Sequence, residues 1–261
     1  MANITVRYFS NCLKRCTTFQ MYIPNAFRSD APPADNECYK RDTKTLFLLH
    51  GYSGDAGNWV PEELSEKYNF AVVMPSGENS FWLDGISTGH QFCTLLGEEL
   101  IGYIRRTFGL AMKREDTFTM GLSMGGFGAM HTALAYPGVF GKAACFSSAF
   151  IHNEVAKMEP GSGNGVANYE YYRECFGEPS QLADSVNNPE FLVKKIKSEG
   201  GEMPELILAC GTEDFLIEPN RAMHRFLEEQ GVEHIYEEDT GVHDMNFWSK
   251  CVQKYVPRMF G

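Results

Sequence analysis

The chain has 261 residues, 43% hydrophobic and 22% charged, with a formal net charge of −11. This length and composition fit a single domain, 1–261, able to bury its core without disulfide or metal staples. Dispersed acidic charge repels phosphate backbones and anionic lipid, which argues against nucleic-acid and membrane partners.

The amino-terminal stretch Met1–Phe9 has no basic segment followed by an apolar run and a small-residue cleavage site. No apolar run reaches the roughly 18 residues of a membrane span. A cytoplasmic protein with free thiols is therefore expected for the eight cysteines. Cys12 and Cys16 stand close together, but no second Cys or His pair completes a zinc set, so no metal is expected. Cys145 and Cys210 sit inside apolar runs and read as buried small hydrophobes.

Ile4–Ser10 and Thr18–Pro24 are rich in β-formers around a short polar stretch, which predicts an antiparallel hairpin. A loop with Pro32 and Pro33 follows over Arg28–Arg41. Then come short apolar runs closed by small or turn residues: Lys44–His50, Phe70–Pro75, Thr117–Leu122, Lys142–Phe150 and Glu205–Cys210. Such runs suit parallel strands covered on both faces. Between them, Thr88–Phe108 repeats apolar residues at three- and four-residue steps, Met124–Tyr136 stops before Pro137, and Glu218–Gln230 stops at Gly231. Strands alternating with helices predict an α/β fold, a mostly parallel doubly wound sheet with the hairpin as its antiparallel edge. Residues 151–204, with a Gly-rich patch (Gly161, Gly163, Gly165) and the group Tyr169, Tyr171, Tyr172 and Phe176, exceed a normal crossover. They read as a cap insertion of short helices over the carboxyl ends of the strands.

The strongest chemical signal is Gly121-Leu122-Ser123-Met124-Gly125 between a strand and a helix. Small flanking residues permit the sharp turn that lifts a serine hydroxyl out of a sheet, and the helix start faces a developing anion. A serine hydroxyl needs a base. Of seven histidines (50, 90, 131, 152, 224, 234 and 243), those well after Ser123 suit the chain order serine, acid, histidine. His224 lies within a helix and His234 enters the last strand, whereas His243 follows that strand in a loop and is the chosen base. The carboxylate that holds its tautomer is Asp214, ranked ahead of adjacent Glu213 and of Asp239 and Asp244. Backbone N–H donors for the oxyanion are expected from Met124 and, in Leu48-Leu49-His50-Gly51-Tyr52-Ser53-Gly54, from Tyr52 or next from Gly51. His50 itself reads as a structural hydrogen-bonding residue. Trp82 fits a substrate-pocket wall and an ordinary core residue equally well, and Asp84 fits a loop anchor. For the three tyrosines of the insertion, core packing is favoured over a pocket wall.

The blocks Leu48–Gly54, Asn79-Ser80-Phe81-Trp82-Leu83-Asp84 and Gly121-Leu122-Ser123-Met124-Gly125-Gly126-Phe127-Gly128 resemble the esterase D family of α/β-hydrolases. That family joins S-formylglutathione hydrolases, related acyltransferases and small bacterial tributyrin or feruloyl esterases, and the last branch is the most similar. The likeness runs from about Lys44 to Phe247, with Tyr52, Ser123, Met124, Asp214 and His243 matching its motifs in order. It implies the α/β-hydrolase fold, hydrolysis of short-chain acyl or aryl esters of small molecules without a cofactor, and compatibility with a homo-oligomer. Trp82 departs from the tyrosine frequent in this branch, and 151–204 aligns with no family pattern. Acyl transfer or thioester hydrolysis of the S-formylglutathione kind stands as the alternative. A non-catalytic binding protein on the same fold is the third reading.

Overall fold

The structure is a computed structural model that describes residues 2–24 and 36–261. Of the expected Arg28–Arg41 loop, residues 28–35 lie outside the described residues. Glu37–Lys40 forms a 3-10 turn capped by Asn36, whose Oδ1 accepts from the Cys38 N–H.

Eight strands form one sheet: β1 (Ala2–Ser10), β2 (Arg15–Ile23), β3 (Lys44–Leu49), β4 (Phe70–Pro75), β5 (Thr117–Leu122), β6 (Lys142–Phe146), β7 (Glu205–Gly211) and β8 (His234–Asp239). Their order is β1-β2-β4-β3-β5-β6-β7-β8. The hairpin β1–β2 is antiparallel and joins β4 antiparallel, as expected of the edge, and β4, β3 and β5 to β8 run parallel. Glu99 Oε2 pins the hairpin tip by accepting from the N–H groups of Asn11 and Cys12 at 2.8 and 2.9 Å.

Helices cover both faces: α1 (Glu62–Tyr68), α2 (Phe92–Thr94), α3 (Ile101–Phe108), α4 (Met124–Ala135), α5 (His152–Val155), α6 (Tyr169–Phe176), α7 (Pro189–Ser198), α8 (Ile217–Glu229) and α9 (Met245–Phe260). A π-helical stretch, Leu95–Leu100, joins α2 to α3. The period of two along a strand decides which core each residue enters. Phe47 and Leu49 of β3 pack in the core that also holds Phe127 and Met130 of α4, while Leu46 and Leu48 pack with Val252 and Val256 of α9. Both faces are buried, which is why these runs carry no polar alternation. Cys145 and Cys210 are fully buried in β6 and β7.

The two largest boundary differences from the sequence reading each have a reason in the structure. The helix expected from Thr88 begins at Phe92, because Gly89 takes a positive φ of 87° and Gln91 bridges back to Asp84. Asp84 then anchors the start by accepting from the Thr94 N–H and hydroxyl at 3.0 and 2.5 Å. The run Lys142–Phe150 leaves the sheet after Phe146, where Ser147 adopts φ 45°. In 151–204, α7 lies alongside α4, and Tyr172, Phe176, Leu192, Val193 and Ile196 join the main core. Asn168 and Asn188 cap α6 and α7, accepting from the N–H groups of Tyr171 and Glu190.

Burial also sets a pH dependence. His131 of α4 stacks on Phe127, donates from Nε2 to the Val186 carbonyl, and faces the Cys93 thiol through Nδ1. Burial first, against weaker help from the Val186 contact and Asp84, lowers its pKa from 6.5 to about 4. The unfolded chain therefore binds this proton more readily, so the stability present above pH 6.5 is lost as pH falls toward 4. Urea unfolding is expected to show about 2 kcal/mol less stability at pH 5 than at pH 7 from this group. His50, also lowered by burial, adds a slope of the same sign, so His131→Gln should flatten the profile rather than abolish it. An unchanged slope in that variant would refute the assignment.

Candidate active site

Ser123 sits where β5 turns into α4, with φ 55° and ψ −121°, a backbone conformation that strains any residue with a Cβ. The turn closes only because its flanks are bare: a Cβ on Gly121 would strike the Gly125 carbonyl, and one on Gly125 would strike the carbonyls of Leu49 and His50. That close approach brings the β3 loop against the serine. Ser123 N–H donates to Phe146 C=O at 2.9 Å, which ties the turn to β6.

His243 comes from the loop between β8 and α9. Its Nε2 lies 3.0 Å from Ser123 Oγ, and its Nδ1 lies 3.0 and 2.9 Å from the two carboxylate oxygens of Asp214. The acid loop and the histidine loop are zipped together: Thr212 N–H donates to Asp239 C=O, Glu213 N–H to Gly241 C=O, and Gly241 N–H to Glu213 Oε2. Glu213 is thereby spent on holding the histidine loop. Asp244 caps α9, accepting from the Phe247 N–H at 3.0 Å, and Asp239 accepts from the Thr240 N–H. Only Asp214 of the four candidates meets the imidazole.

The Asp214 side chain is fully buried, which pushes its carboxyl up. Hydrogen bonds from His243 and from the Leu216 N–H at 2.8 Å outweigh that and hold it below the ordinary carboxylate range. The anion is thus present to receive Nδ1–H, leaving Nε2 as the acceptor for the serine proton. The imidazole is walled by Trp248, edge-on at 5.0 Å, and by Phe215 at 4.5 Å, whose side chain stands exposed beside it.

Met124 opens α4, so its N–H has no intrahelical acceptor. Across from it, Ser53 N–H is taken by Asn79 Oδ1 and Gly54 N–H by Gly51 C=O. Tyr52 N–H has no acceptor among the described residues. His50 has the structural role expected of it: Nδ1 donates to Gly51 C=O at 2.8 Å and Nε2 accepts from Gly77 N–H at 2.9 Å. Those two backbone partners fix a neutral tautomer, and burial lowers its pKa.

Trp82 requires a correction. It is 0% exposed and lines no part of the cleft. A Cβ on Gly77 or on Gly128 would collide with the indole, so those two glycines form its slot. Its Nε1–H donates to His50 C=O at 3.2 Å, under the loop that meets Ser123. Tyr172 of the insertion is core, and Tyr171 packs edge-on against Tyr52 at 5.9 Å.

The cleft over Ser123 has a volume of about 340 Å³. Besides Ser123, His243, Tyr52 and Gly51, its lining includes Trp59, Met245, Trp248 and Asp55. Sequence reasoning assigned none of these four to the site; the spacing of Trp248 five residues after His243, one turn into α9, was the available signal. A larger groove of about 850 Å³ lies at the opposite, amino-terminal end of the strands. Among its lining charges Arg114 pairs with Glu202 and Lys142 with Glu205, and it holds none of the residues above.

The chain is similar to known proteins over nearly its whole length. Over 97% of this chain and 96% of its own length, an acetyl esterase of Caldicellulosiruptor saccharolyticus is 40% identical. Among solved structures, a substrate-bound fluorophosphonate-binding serine hydrolase F of Staphylococcus aureus is 26% identical, with a TM-score of 0.82 over 100% of this chain and 98% of that one. An S-formylglutathione hydrolase of Staphylococcus aureus is likewise 26% identical, with a TM-score of 0.81 over 100% of this chain and 99% of that one. The resemblance read from the three sequence blocks is borne out. Residues 10–259 match the family described as putative esterase, so the chain belongs to that esterase family and is a serine carboxylesterase of the α/β-hydrolase fold.

Proposed function

We propose that the chain hydrolyses neutral, short-acyl esters, acetyl esters first, through an acyl-enzyme on Ser123. The observation that carries this reading is the unbroken hydrogen-bond chain from Ser123 Oγ through His243 to the buried Asp214. His243 Nε2 takes the serine proton as Oγ attacks the ester carbonyl. Asp214 stabilises the imidazolium and keeps its ring oriented. The N–H groups of Met124 and Tyr52 receive the oxyanion, aided by the positive end of α4. Collapse of the tetrahedral intermediate expels the alcohol, which takes the proton from His243. Water, deprotonated by the same imidazole, then releases the acid and restores Ser123. A single catalytic domain, with 151–204 as a cap beside the oxyanion loop, is part of the same proposal.

The substrate class rests on charge. Among the described residues no lysine or arginine lines the cleft, His50 is held neutral, and Asp55 is the lining carboxylate. An anionic substrate finds no counter-charge there, and a glutathione thioester carries net negative charge. The relative named an acetyl esterase supports the neutral-ester reading. Expected is a kcat/KM for p-nitrophenyl acetate at least roughly tenfold above that for S-formylglutathione at low ionic strength. Added salt should narrow the gap by screening. A preference for the anionic thioester would instead favour the hydrolase alternative.

A further inference from the structure

The loop that carries Tyr52 is exposed over Tyr52–Asp55, and Ser53 within it adopts φ 60°. A turn with so little packing needs fixing if its N–H is to face one point in space. The segment that follows β4 supplies the fixing: Ser76 Oγ donates to Asp55 Oδ1 at 2.5 Å, at the end of the loop, and three more hydrogen bonds act nearer Tyr52. Gly77 N–H donates to His50 Nε2 at 2.9 Å, Trp82 Nε1–H to His50 C=O at 3.2 Å, and Ser53 N–H to Asn79 Oδ1 at 2.7 Å. The first two set His50, at the base of the loop. The third holds the Tyr52–Ser53 peptide itself, on the side of Tyr52 away from His50.

Asn79 is itself held from the insertion. Its backbone carbonyl accepts from the Tyr171 hydroxyl at 2.5 Å and from the Cys175 thiol at 3.5 Å, both on α6. Burial pushes the Tyr171 hydroxyl well above its ordinary range, so it remains a donor at all working pH values. The Tyr171 ring also meets the Tyr52 ring edge-on. Two consecutive hydrogen bonds, Tyr171 to Asn79 and Asn79 to Ser53, thus link α6 to the peptide beside the oxyanion donor, and the ring contact joins α6 to Tyr52 directly.

We propose that Asn79 is a positioning residue for the oxyanion site: its side-chain carbonyl locks the Tyr52–Ser53 peptide, and Tyr171 of the insertion locks Asn79. This rests on the reading that the Tyr52 N–H receives the oxyanion. A donor misplaced in the free enzyme weakens the transition state more than the bound ester, because charge on the oxygen appears only as the reaction proceeds. The insertion then acts on the rate through the loop, without lining the cleft.

The test uses Asn79→Ala, Tyr171→Phe and the double variant of the full chain with p-nitrophenyl acetate, beside Ser123→Ala. Asn79→Ala is expected to lower kcat roughly tenfold, a fraction of what loss of an oxyanion donor costs, with KM within about twofold. The pH profile of kcat/KM should keep its midpoint, since the Ser123–His243–Asp214 chain is untouched. Tyr171→Phe should lower kcat less, and the double variant should be no slower than Asn79→Ala, because both act through one link. Wild-type kcat in Asn79→Ala overturns the proposal, and so does a Tyr171→Phe factor that repeats unchanged in the Asn79→Ala background. A Ser123→Ala protein that still turns over would instead overturn the active-site reading beneath it.

Discussion

Ser123→Ala is expected to lower kcat for p-nitrophenyl acetate on the order of 10⁵- to 10⁶-fold, because the remaining groups then have no nucleophile to activate. Its stability should not fall. Ser123 is held at φ 55° and ψ −121°, where a residue with a Cβ costs about 1–3 kcal/mol and glycine costs far less. Ser123→Gly should therefore be inactive and more stable than wild type by about 1 kcal/mol, since the strain is relieved while the lost Oγ contact is single. Chemical denaturation of the three proteins measures this directly. A Ser123→Gly protein less stable than Ser123→Ala would show that the turn is not under strain. A Ser123→Ala protein with more than a thousandth of wild-type kcat would show that the nucleophile is another group.

The order of elements was legible because the central parallel strands, β3 to β7, are buried on both faces and read as short, mostly apolar runs. Phe70–Pro75 and Thr117–Leu122 were read with the bounds that the structure shows. Errors came where a tertiary contact, not local pattern, ends an element. Lys142–Phe150 returns to apolar residues at Ala149 and Phe150 after two serines, yet the chain turns at Ser147, and Ala149 N–H donates to Ser123 C=O. Glu62–Tyr68 went unread, since a seven-residue helix with three glutamates and one lysine carries too short an apolar stripe to stand out.

The hydrogen-bonded group Ser123, His243 and Asp214 was legible for a different reason. Ser123 is marked by the glycines its turn requires, and the order of acid and base along the chain follows from the direction of the parallel sheet. What sequence cannot separate is two adjacent carboxylates with opposite orientation. Glu213 and Asp214 differ only in where the turn after β7 points them, one to the Gly241 N–H and the other to His243. Trp82 was equally ambiguous, because its slot is cut by Gly77 and Gly128, five residues before it and forty-six after it. An indole that fits between two distant glycines leaves no local pattern.

Asp214→Asn should cost on the order of 10⁴ in kcat while leaving the fold intact, and the surrounding bonds say why. Leu216 N–H donates to Asp214 Oδ1 at 2.8 Å, and that backbone donor cannot turn away. An asparagine must therefore keep its oxygen toward Leu216 and offer its NH₂ group to His243 Nδ1. Nδ1 then has to accept, which moves the imidazole proton to Nε2, the atom that must take the proton from Ser123 Oγ. The base is thereby occupied while the distances scarcely change. KM for a neutral acetyl ester should stay within about threefold of wild type, since Asp214 is buried beneath the imidazole and does not line the cleft. Raising pH should restore activity only where hydroxide substitutes for the imidazole as base. Kinetics of Asp214→Asn beside Glu213→Gln would settle the choice of acid. Glu213→Gln keeps an oxygen for the Gly241 N–H and should retain most of the activity, whereas the reverse ranking of the two variants would move the acid role to Glu213.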